Sequence, residues 1–130
     1  EYTVDVFCND DSYPLVISPR KRIAVKAGQA VKAELVSSDR FVAPIEKLCD
    51  RLKMVGVCNF QFIESQGKLY FIELNPRFAA GGLMLTVNGG GNIPMLVIKS
   101  ALGMALPSDR IEIKTGLKMT RYWEEIFIDD

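Results

Sequence analysis

Glu73 and Asn75 are polar residues in a segment whose alternation otherwise indicates a buried face. Residues 69–75 alternate with period two, which predicts a strand and places Glu73 and Asn75 on the face of Leu69 and Phe71. A buried carboxylate or amide costs free energy unless it is paired or bound to an ion. A hard cation is the simplest partner for these two side chains.

Gln61 lies on the preceding strand candidate, and the length of the turn between the two strands decides whether it faces Glu73. A three-residue loop, Ser65 to Gly67 with Gly67 in the left-handed region, puts Gln61 on the face of Glu73 and Asn75. A two-residue loop puts it on the opposite face. We favour the three-residue loop because it gathers the polar side chains on one side.

Gln61, Glu73 and Asn75 then offer three oxygen donors at the strand ends, and Arg77 follows directly after Pro76. All-oxygen coordination suits Mg²⁺ or Mn²⁺, which keep several waters and bridge to phosphate oxygens. The guanidinium of Arg77 suits the same phosphates through its fork of donors. An edge hairpin with a satisfied polar cluster and a surface arginine explains the same spacing, so both interpretations stay open here.

The order of these residues resembles a motif of a known family. Gln61 followed by Ile72-Glu73-Leu74-Asn75-Pro76-Arg77 is similar to the metal and phosphate motif of the ATP-grasp superfamily, in particular of the carbamoyl-phosphate synthase large-subunit type. The likeness runs through most of the chain, from the opening strand candidate to the helix candidate that ends near Gly103. It implies the C-terminal subdomain of an ATP-grasp fold.

The resemblance implies a role for each residue of the motif. Glu73 would bridge two Mg²⁺ ions, Gln61 and Asn75 would each ligate one, and Arg77 would be the catalytic residue that holds phosphate or an acyl phosphate. Glu73 and Asn75, together with Arg22, would also contact bound ATP. The family's reaction uses ATP to activate a carboxylate as an acyl phosphate, which an amine or similar nucleophile then attacks.

The basic run Arg20-Lys21-Arg22 has two interpretations. On a strand, Arg20 and Arg22 point one way and Lys21 the other. The resemblance places Arg22, and with it Arg20, toward phosphate or the carboxylate substrate. A solvated edge strand that uses charge against aggregation accounts for the same residues. Residues 78–82 contain no acidic residue, unlike biotin-carboxylase-type members, so the small-molecule carboxylate is unassigned.

Composition bounds the class of protein. The 130 residues suffice for one core, and their 16 basic and 16 acidic residues cancel, which argues against nucleic-acid or membrane-surface binding. No segment approaches the ~18 consecutive apolar residues of a membrane span. With no histidine and three cysteines outside any CxxC spacing, a zinc site is not expected. Cys8, Cys49 and Cys58 are expected to be buried, reduced thiols in a cytoplasmic protein.

The remaining pattern predicts an α+β fold with a mainly antiparallel sheet of five to seven strands and two principal helices on one face. One helix is expected from near Ala43 to Lys53 with Pro44 in its first turn, and another over residues 93–102. Strand candidates besides the hairpin are residues 2–8, 14–18, 20–26, 31–36, 117–122 and 124–128.

Residues 1–130 are expected to form a single domain without the N-terminal ATP-grasp subdomain, since residue 1 already lies in a strand candidate. The isolated chain should then be inactive and bind ATP poorly. Two alternatives to a ligase subdomain stay open. One is a non-catalytic module that binds a nucleotide or metal, and the other is a structural piece that packs or homodimerises through the surface left uncovered.

Overall fold

The sheet is antiparallel throughout, and its strand order is β5-β4-β1-β2-β3-β6. The computed structural model describes residues 1–122 and 124–128. The elements in these residues are β1 (Tyr2–Cys8), β2 (Pro14–Lys26), β3 (Gln29–Leu35), α1 (Asp39–Leu52), β4 (Gly56–Ser65), β5 (Lys68–Asn75), α2 (Leu83–Asn88), α3 (Ile93–Ala101) and β6 (Lys118–Thr120). The predicted α+β class with a mainly antiparallel sheet is confirmed.

Helices cover both faces of the sheet. Val4 and Val6 of β1 pack against α1 in a cluster that includes Phe41. Phe7, which points the other way, packs in a second cluster with Ile93 of α3. The expectation that both principal helices lie on one face is therefore wrong. The physical reason is that β1 is buried along its whole length, so each of its faces needs a covering layer.

The two strand candidates 14–18 and 20–26 are one strand, β2, with Pro19 inside it. The carbonyl of Pro19 accepts a hydrogen bond from the Val36 amide at 3.0 Å. The nitrogen of Pro19 therefore points toward the same side, where β3 has just ended at Leu35. Because no ladder bond is available there, proline costs the sheet nothing at this position.

Helix α1 begins at Asp39, earlier than the start predicted near Ala43, and Pro44 lies inside it. The Phe41 amide bonds to the Ser38 carbonyl at 2.7 Å, so the first turn is closed before proline is reached. Proline then removes a single helical hydrogen bond. The expectation that Pro44 belongs to the first turn is wrong for this reason.

Helix α3 matches its prediction, and a third, short helix, α2, precedes it. The side chain of Asn92 caps α3 by accepting from the Met95 amide at 3.2 Å, and the chain turns at Gly103, whose φ is +65°. Within residues 1–122 and 124–128, none of the helices has the length and apolar character needed to cross a membrane.

The C-terminal segment forms less sheet than expected. Strand β6 covers Lys118–Thr120 instead of residues 117–122, because it pairs with just three residues of β3. Residues 124–128 form no strand, and Ile126, Phe127 and Ile128 are each at least 84% exposed. Trp123, part of the same predicted alternation, lies outside the described residues.

The three cysteines are free and buried, as predicted. All belong to the cluster between the sheet and α1. Burial raises the pKa of the Cys58 thiol to about 12, so it stays protonated at neutral pH.

Candidate functional site

The turn between β4 and β5 has two residues, so the three-residue loop predicted from the sequence is wrong. Ser65 pairs with Lys68, and the loop consists of Gln66 and Gly67. Their φ values are +50° and +76°. Two successive positive φ values are typical of the type I′ turn, whose twist matches that of an antiparallel hairpin.

A β-bulge at Ile72 produces the same register at Glu73 that a three-residue loop would produce. Phe62 pairs with Phe71, but its neighbour Gln61 pairs with Glu73, so Ile72 has no partner on β4. One extra residue reverses the face of everything beyond it. Gln61 therefore lies on the face of Glu73, as predicted, but through a bulge.

The bulge also corrects where the apolar residues of β5 lie. Leu69 and Leu74 pack against the cluster under α1, and the ring of Phe71 contacts that of Phe62 at a centroid distance of 5.8 Å. Glu73 and Asn75 lie on the opposite face. The expectation that they share a face with Leu69 and Phe71 is wrong.

The face with Glu73 carries two rows of polar residues that run across four neighbouring strands. We call them the polar rows. The register aligns Asn75, Asn59, Asp5 and Ser18 in the first row, and Glu73, Gln61, Thr3 and Arg20 in the second. The three predicted metal ligands are thus three of the four β4 and β5 members of these rows, and Asn59 is the fourth. The register brings all three together.

Hydrogen bonds join the outer part of the polar rows to Arg77. The amide nitrogen of Asn75 donates to Glu73 Oε1 at 2.8 Å and, more weakly, to Asn59 Oδ1 at 3.5 Å. A guanidinium nitrogen of Arg77 donates to Asn75 Oδ1 at 3.4 Å. The buried side chain of Asn59 donates to the Arg77 carbonyl at 2.9 Å. Asn59 was missed in the sequence analysis, although its two-residue spacing from Gln61 signals the same face.

The side-chain oxygens of Gln61, Glu73 and Asn75 could provide some, but not all, of the ligands of a hard cation. Gln61, Glu73 and Asn75 supply amide and carboxylate oxygens, and Glu73 is exposed and therefore accessible. Within residues 1–122 and 124–128, no three His, Cys, Asp or Glu side chains are grouped so that they alone could hold a metal ion. A Mg²⁺ or Mn²⁺ ion at Glu73 would thus take its remaining ligands from water and phosphate, as Mg²⁺ usually does in nucleotide-binding sites.

A cavity of about 90 Å³ opens beside the polar rows, with three arginines in its wall. Arg20 is ion-paired with Asp5, and Arg22 with Glu1. Arg77 forms no salt bridge in the part of the chain that the structure describes. The guanidinium of Arg77 is therefore the positive charge left available to an anion in this cavity.

The environments of Arg20 and Arg22 differ. Arg20 is 2% exposed and lies under the cavity wall. Arg22 is partly buried and donates to the Gly28 carbonyl at 2.8 Å as well as to Glu1. Both line the cavity, so the structure brings the predicted Arg22 close to Gln61 and Arg77, although two of its guanidinium donors are already bonded to Glu1 and Gly28.

The fold is shared with solved enzymes. The chain superposes on biotin carboxylase of Campylobacter jejuni in complex with β,γ-ATP with a TM-score of 0.69 at 21% identity, covering 86% of this chain and 27% of that one. It also superposes on the biotin carboxylase domain of a thermophilic 2-oxoglutarate carboxylase bound to bicarbonate, with a TM-score of 0.70 at 18% identity, covering 86% and 28% of the two chains.

A curated relative and a family model connect the sequence to the same group. The chain is 26% identical over 127 residues to the carbamoyl phosphate synthase large chain of Archaeoglobus fulgidus, and it spans 12% of that protein's length. Residues 1–125 match the model described as "ATP-grasp in the biosynthetic pathway with Ter operon". The chain therefore belongs to this ATP-grasp family.

Proposed function

We propose that this chain is the metal- and phosphate-binding part of an ATP-dependent ligase that activates a carboxylate as an acyl phosphate. The observation that carries the proposal is the register of β4 and β5, which aligns Gln61 with Glu73 and Asn59 with Asn75 on one face. Arg77, with no salt bridge among the described residues, follows directly. Family membership and the named relatives support the same reaction class.

Each residue has a chemical task in this proposal. Glu73 supplies the negative charge that attracts a divalent cation, and Gln61 and Asn75 add neutral oxygen ligands. Mg²⁺, when bound, supplies charge neutralisation of the ATP phosphates. Arg77 presents its guanidinium donors to the oxygens of the transferred phosphoryl group, and Asn75 holds that guanidinium toward the polar rows. Positioning and electrostatics supply most of the catalysis in such phosphoryl transfers.

The partners in this proposal are ATP and a small-molecule carboxylate, with Arg22 placed to contact the bound nucleotide. The chain spans just over a quarter of the solved chains that it resembles. A complete site would therefore use a second, N-terminal subdomain that supplies the other wall. A cytoplasmic location and the single-domain boundary at residues 1–130 stay predictions.

A second candidate function is a non-catalytic module that binds a metal or nucleotide. The observation that favours it is that Glu73 is the one carboxylate among the three candidate ligands. A site with a single carboxylate attracts a divalent cation weakly and depends on the phosphates to complete its charge. Homodimerisation of the chain also stays a prediction. Turnover separates the ligase from these alternatives.

The test is an assay of ADP release by the full-length protein across a panel of small carboxylates and amines. We expect Glu73→Gln to lower kcat by at least about 100-fold, because it removes the charge that holds the metal against the phosphates in the transition state. Arg77→Ala should lower kcat by a similar factor. Glu112→Gln, at an exposed glutamate, is the matched control and should leave kcat unchanged.

Near-wild-type kcat in both Glu73→Gln and Arg77→Ala would refute the ligase assignment. Metal-dependent ATP binding with no turnover on any carboxylate would favour the non-catalytic module. For the isolated 130-residue chain, calorimetry should give an ATP Kd in the millimolar range or weaker, which corresponds to about −4 kcal/mol.

A further inference from the structure

The segment between β5 and α2 forms one wall of the cavity. We call residues 76–82 the cavity loop. It begins with Pro76 and Arg77, and its residues Ala79, Ala80 and Gly81 line the cavity. Any catalytic use of Arg77 requires this loop to stay fixed over the polar rows, because small displacements of a catalytic group cost rate.

The start of the cavity loop is fixed by the outer polar rows. Asn59, which is 3% exposed, donates its side-chain amide to the Arg77 carbonyl at 2.9 Å. This bond fixes the backbone at Arg77 but does not reach the other end of the loop. The last loop residue, Gly82, needs an anchor of its own.

The end of the loop rests on the side chain of Arg20. A Cβ atom at Gly82 would lie 2.6 Å from Arg20 Cζ and 2.8 Å from Arg20 Cδ, well inside van der Waals contact. The position requires glycine because Arg20 fills the space that a side chain would occupy.

Arg20 is itself held by a buried polar network. Its guanidinium pairs with Asp5 Oδ2, and the Thr86 hydroxyl donates to the same oxygen at 2.6 Å. Ser18 Oγ lies 3.0 Å from Thr86 Oγ1. These four residues are at most 2% exposed. Because Thr86 belongs to α2, the network ties the helix that follows the loop to the centre of the sheet.

Within the described ranges, the buried network leaves one polar atom without a hydrogen bond, which lowers what the network can contribute to stability. Asp5 Oδ1 is buried without a hydrogen-bond partner in the described residues. A buried ion pair with an unsatisfied oxygen contributes little to stability compared with apolar packing. The ion pair also carries no net charge, since Asp5 neutralises Arg20. Arg20 therefore differs from Arg77, whose guanidinium has no carboxylate partner among the described residues.

From this geometry we propose that Arg20 is a positioning residue. Its side chain is held in place by Asp5 and Thr86, and Gly82 packs against it. Arg20 thereby fixes the end of the cavity loop and, through the loop, the position of Arg77. The catalytic meaning of this role rests on the proposed ligase function. The mechanical role does not, and it is tested separately.

The test of the mechanical role is a double-mutant cycle on the 130-residue chain. It is read by hydrogen exchange of the Leu85 and Thr86 backbone amides, which donate to the Gly82 carbonyl at 3.0 and 3.4 Å and so report on the end of the loop. Arg20→Ala removes the supporting side chain, and Gly82→Ala adds a Cβ that clashes with it. Each single variant should speed exchange of these two amides at least about tenfold relative to exchange in β1. Gly82→Ala should add no further increase in the Arg20→Ala background, because the Cβ then has room.

Arg110→Ala is the matched control, because Arg110 is also ion-paired, to Glu46 of α1 at 2.6 Å, and does not line the cavity. It should leave exchange of the two amides unchanged. If Arg20→Ala does not fold, Gly82→Ala and Asp5→Asn measured singly decide the question. Wild-type exchange of the two amides in every folded variant, or additive effects in the cycle, would overturn the proposal.

The catalytic meaning is tested in the full-length protein. Arg20→Ala should raise KM for the carboxylate or lower kcat by about 10- to 100-fold through displacement of Arg77, with KM for ATP within a factor of two. If the wild-type protein turns over no carboxylate, the proposed function fails while the exchange cycle still decides the positioning role. If exchange of the Leu85 and Thr86 amides changes as expected but neither kinetic constant for the carboxylate moves, Arg20 has no role in positioning Arg77.

Discussion

Both faces of β1 are buried, yet they differ in chemistry: the face toward α1 is hydrophobic along the strand, whereas the opposite face is polar at Thr3 and Asp5 and becomes apolar at Phe7. On one face Val4 and Val6 pack against α1 in a cluster of apolar residues. On the other, Thr3 and Asp5 belong to the polar rows beneath α2. Apolar packing tolerates exchanges of similar volume, whereas every buried polar group needs its own partner. On the second face, the exact chemistry of each side chain therefore matters more than its volume.

The apolar face derives its stability from contacts among large side chains. The ring centroid of Phe41 lies 5.4 Å from that of Tyr2, with the rings tilted, and 5.7 Å from that of Phe62, with the rings edge to face. Such aromatic pairs add to the free energy gained by burial. The polar face has no comparable cluster around Asp5. We expect substitutions on the apolar face to change stability without changing the order of the cavity loop.

The largest effect on stability is expected for Phe41→Ala. Removing a ring that is 1% exposed should lower the free energy of unfolding by about 3–5 kcal/mol, through lost burial and the cavity left behind. Urea denaturation measures this change. Phe127→Ala, at a side chain that is 87% exposed, is the control and should change it by less than ~0.5 kcal/mol.

The same experiment sharpens the comparison of the faces. Relative to global unfolding, exchange of the Leu85 and Thr86 amides, which report on the end of the cavity loop, should be the same in folded Phe41→Ala as in wild type. Faster exchange of these amides in that variant would mean that the two faces are mechanically coupled, which contradicts their separation.

A smaller effect is expected on the polar face for Thr86→Val. The change keeps the shape of the side chain but leaves Asp5 Oδ2 and Ser18 without the Thr86 hydroxyl. We expect a loss of about 1–3 kcal/mol in the free energy of unfolding, the cost of leaving a buried polar group less satisfied. Thr120→Val on exposed β6 serves as control. Equal stability of Thr86→Val and wild type would show that Asp5 does not depend on Thr86.

The sequence predicts the elements well where the pattern is local. The strand candidate at residues 2–8 and the helix predicted over residues 93–102 are both found in the structure. The start of α1 was misplaced because Pro44 was given more weight than the ability of Asp39 and its neighbours to close a turn first. The tail at 124–128 was misassigned because alternation alone cannot supply a pairing strand.

The candidate site shows how a correct result can follow from two wrong steps. Gln61 and Glu73 share a face, as predicted, but the loop is one residue shorter than argued and Ile72 adds one residue in compensation. Both steps concern the number of residues between Gln61 and Glu73, and a change of one residue moves Glu73 to the other face of the sheet. A bulge has no reliable local signature, so sequence alone could not separate the two routes to the same register.

The buried network on the polar face was not predictable from local pattern. Asp5 is an acidic residue in an alternating strand, and nothing near it in the sequence indicates Arg20 or Thr86 as partners. The three are brought together by the order of β1 and β2 in the sheet and by the placement of α2. Such long-range pairing follows from the order of the strands in the sheet. The residue pattern predicts the fold class but not that order.

The smallest effect concerns Glu64, at the rim of the apolar face. The Arg40 guanidinium, 2.9 Å from Glu64 Oε1, and the Tyr2 hydroxyl, 2.8 Å from Oε2, lower the pKa of Glu64. Because the pKa is lower in the folded state, this carboxylate stabilises the fold above its unfolded pKa of about 4.3. That contribution is lost as the pH falls through the folded pKa.

Glu64→Gln should therefore destabilise the chain more at pH 7 than at pH 3, by a modest amount because the site is solvent-exposed and screened. Urea denaturation of both proteins at the two pH values measures the difference. Arg40→Met removes the larger cause of the shift, so in that background the pH dependence of the Glu64→Gln effect should shrink. A Glu64→Gln effect that is equal at pH 7 and pH 3 would show that the negative charge of Glu64 adds nothing to the stability of the fold.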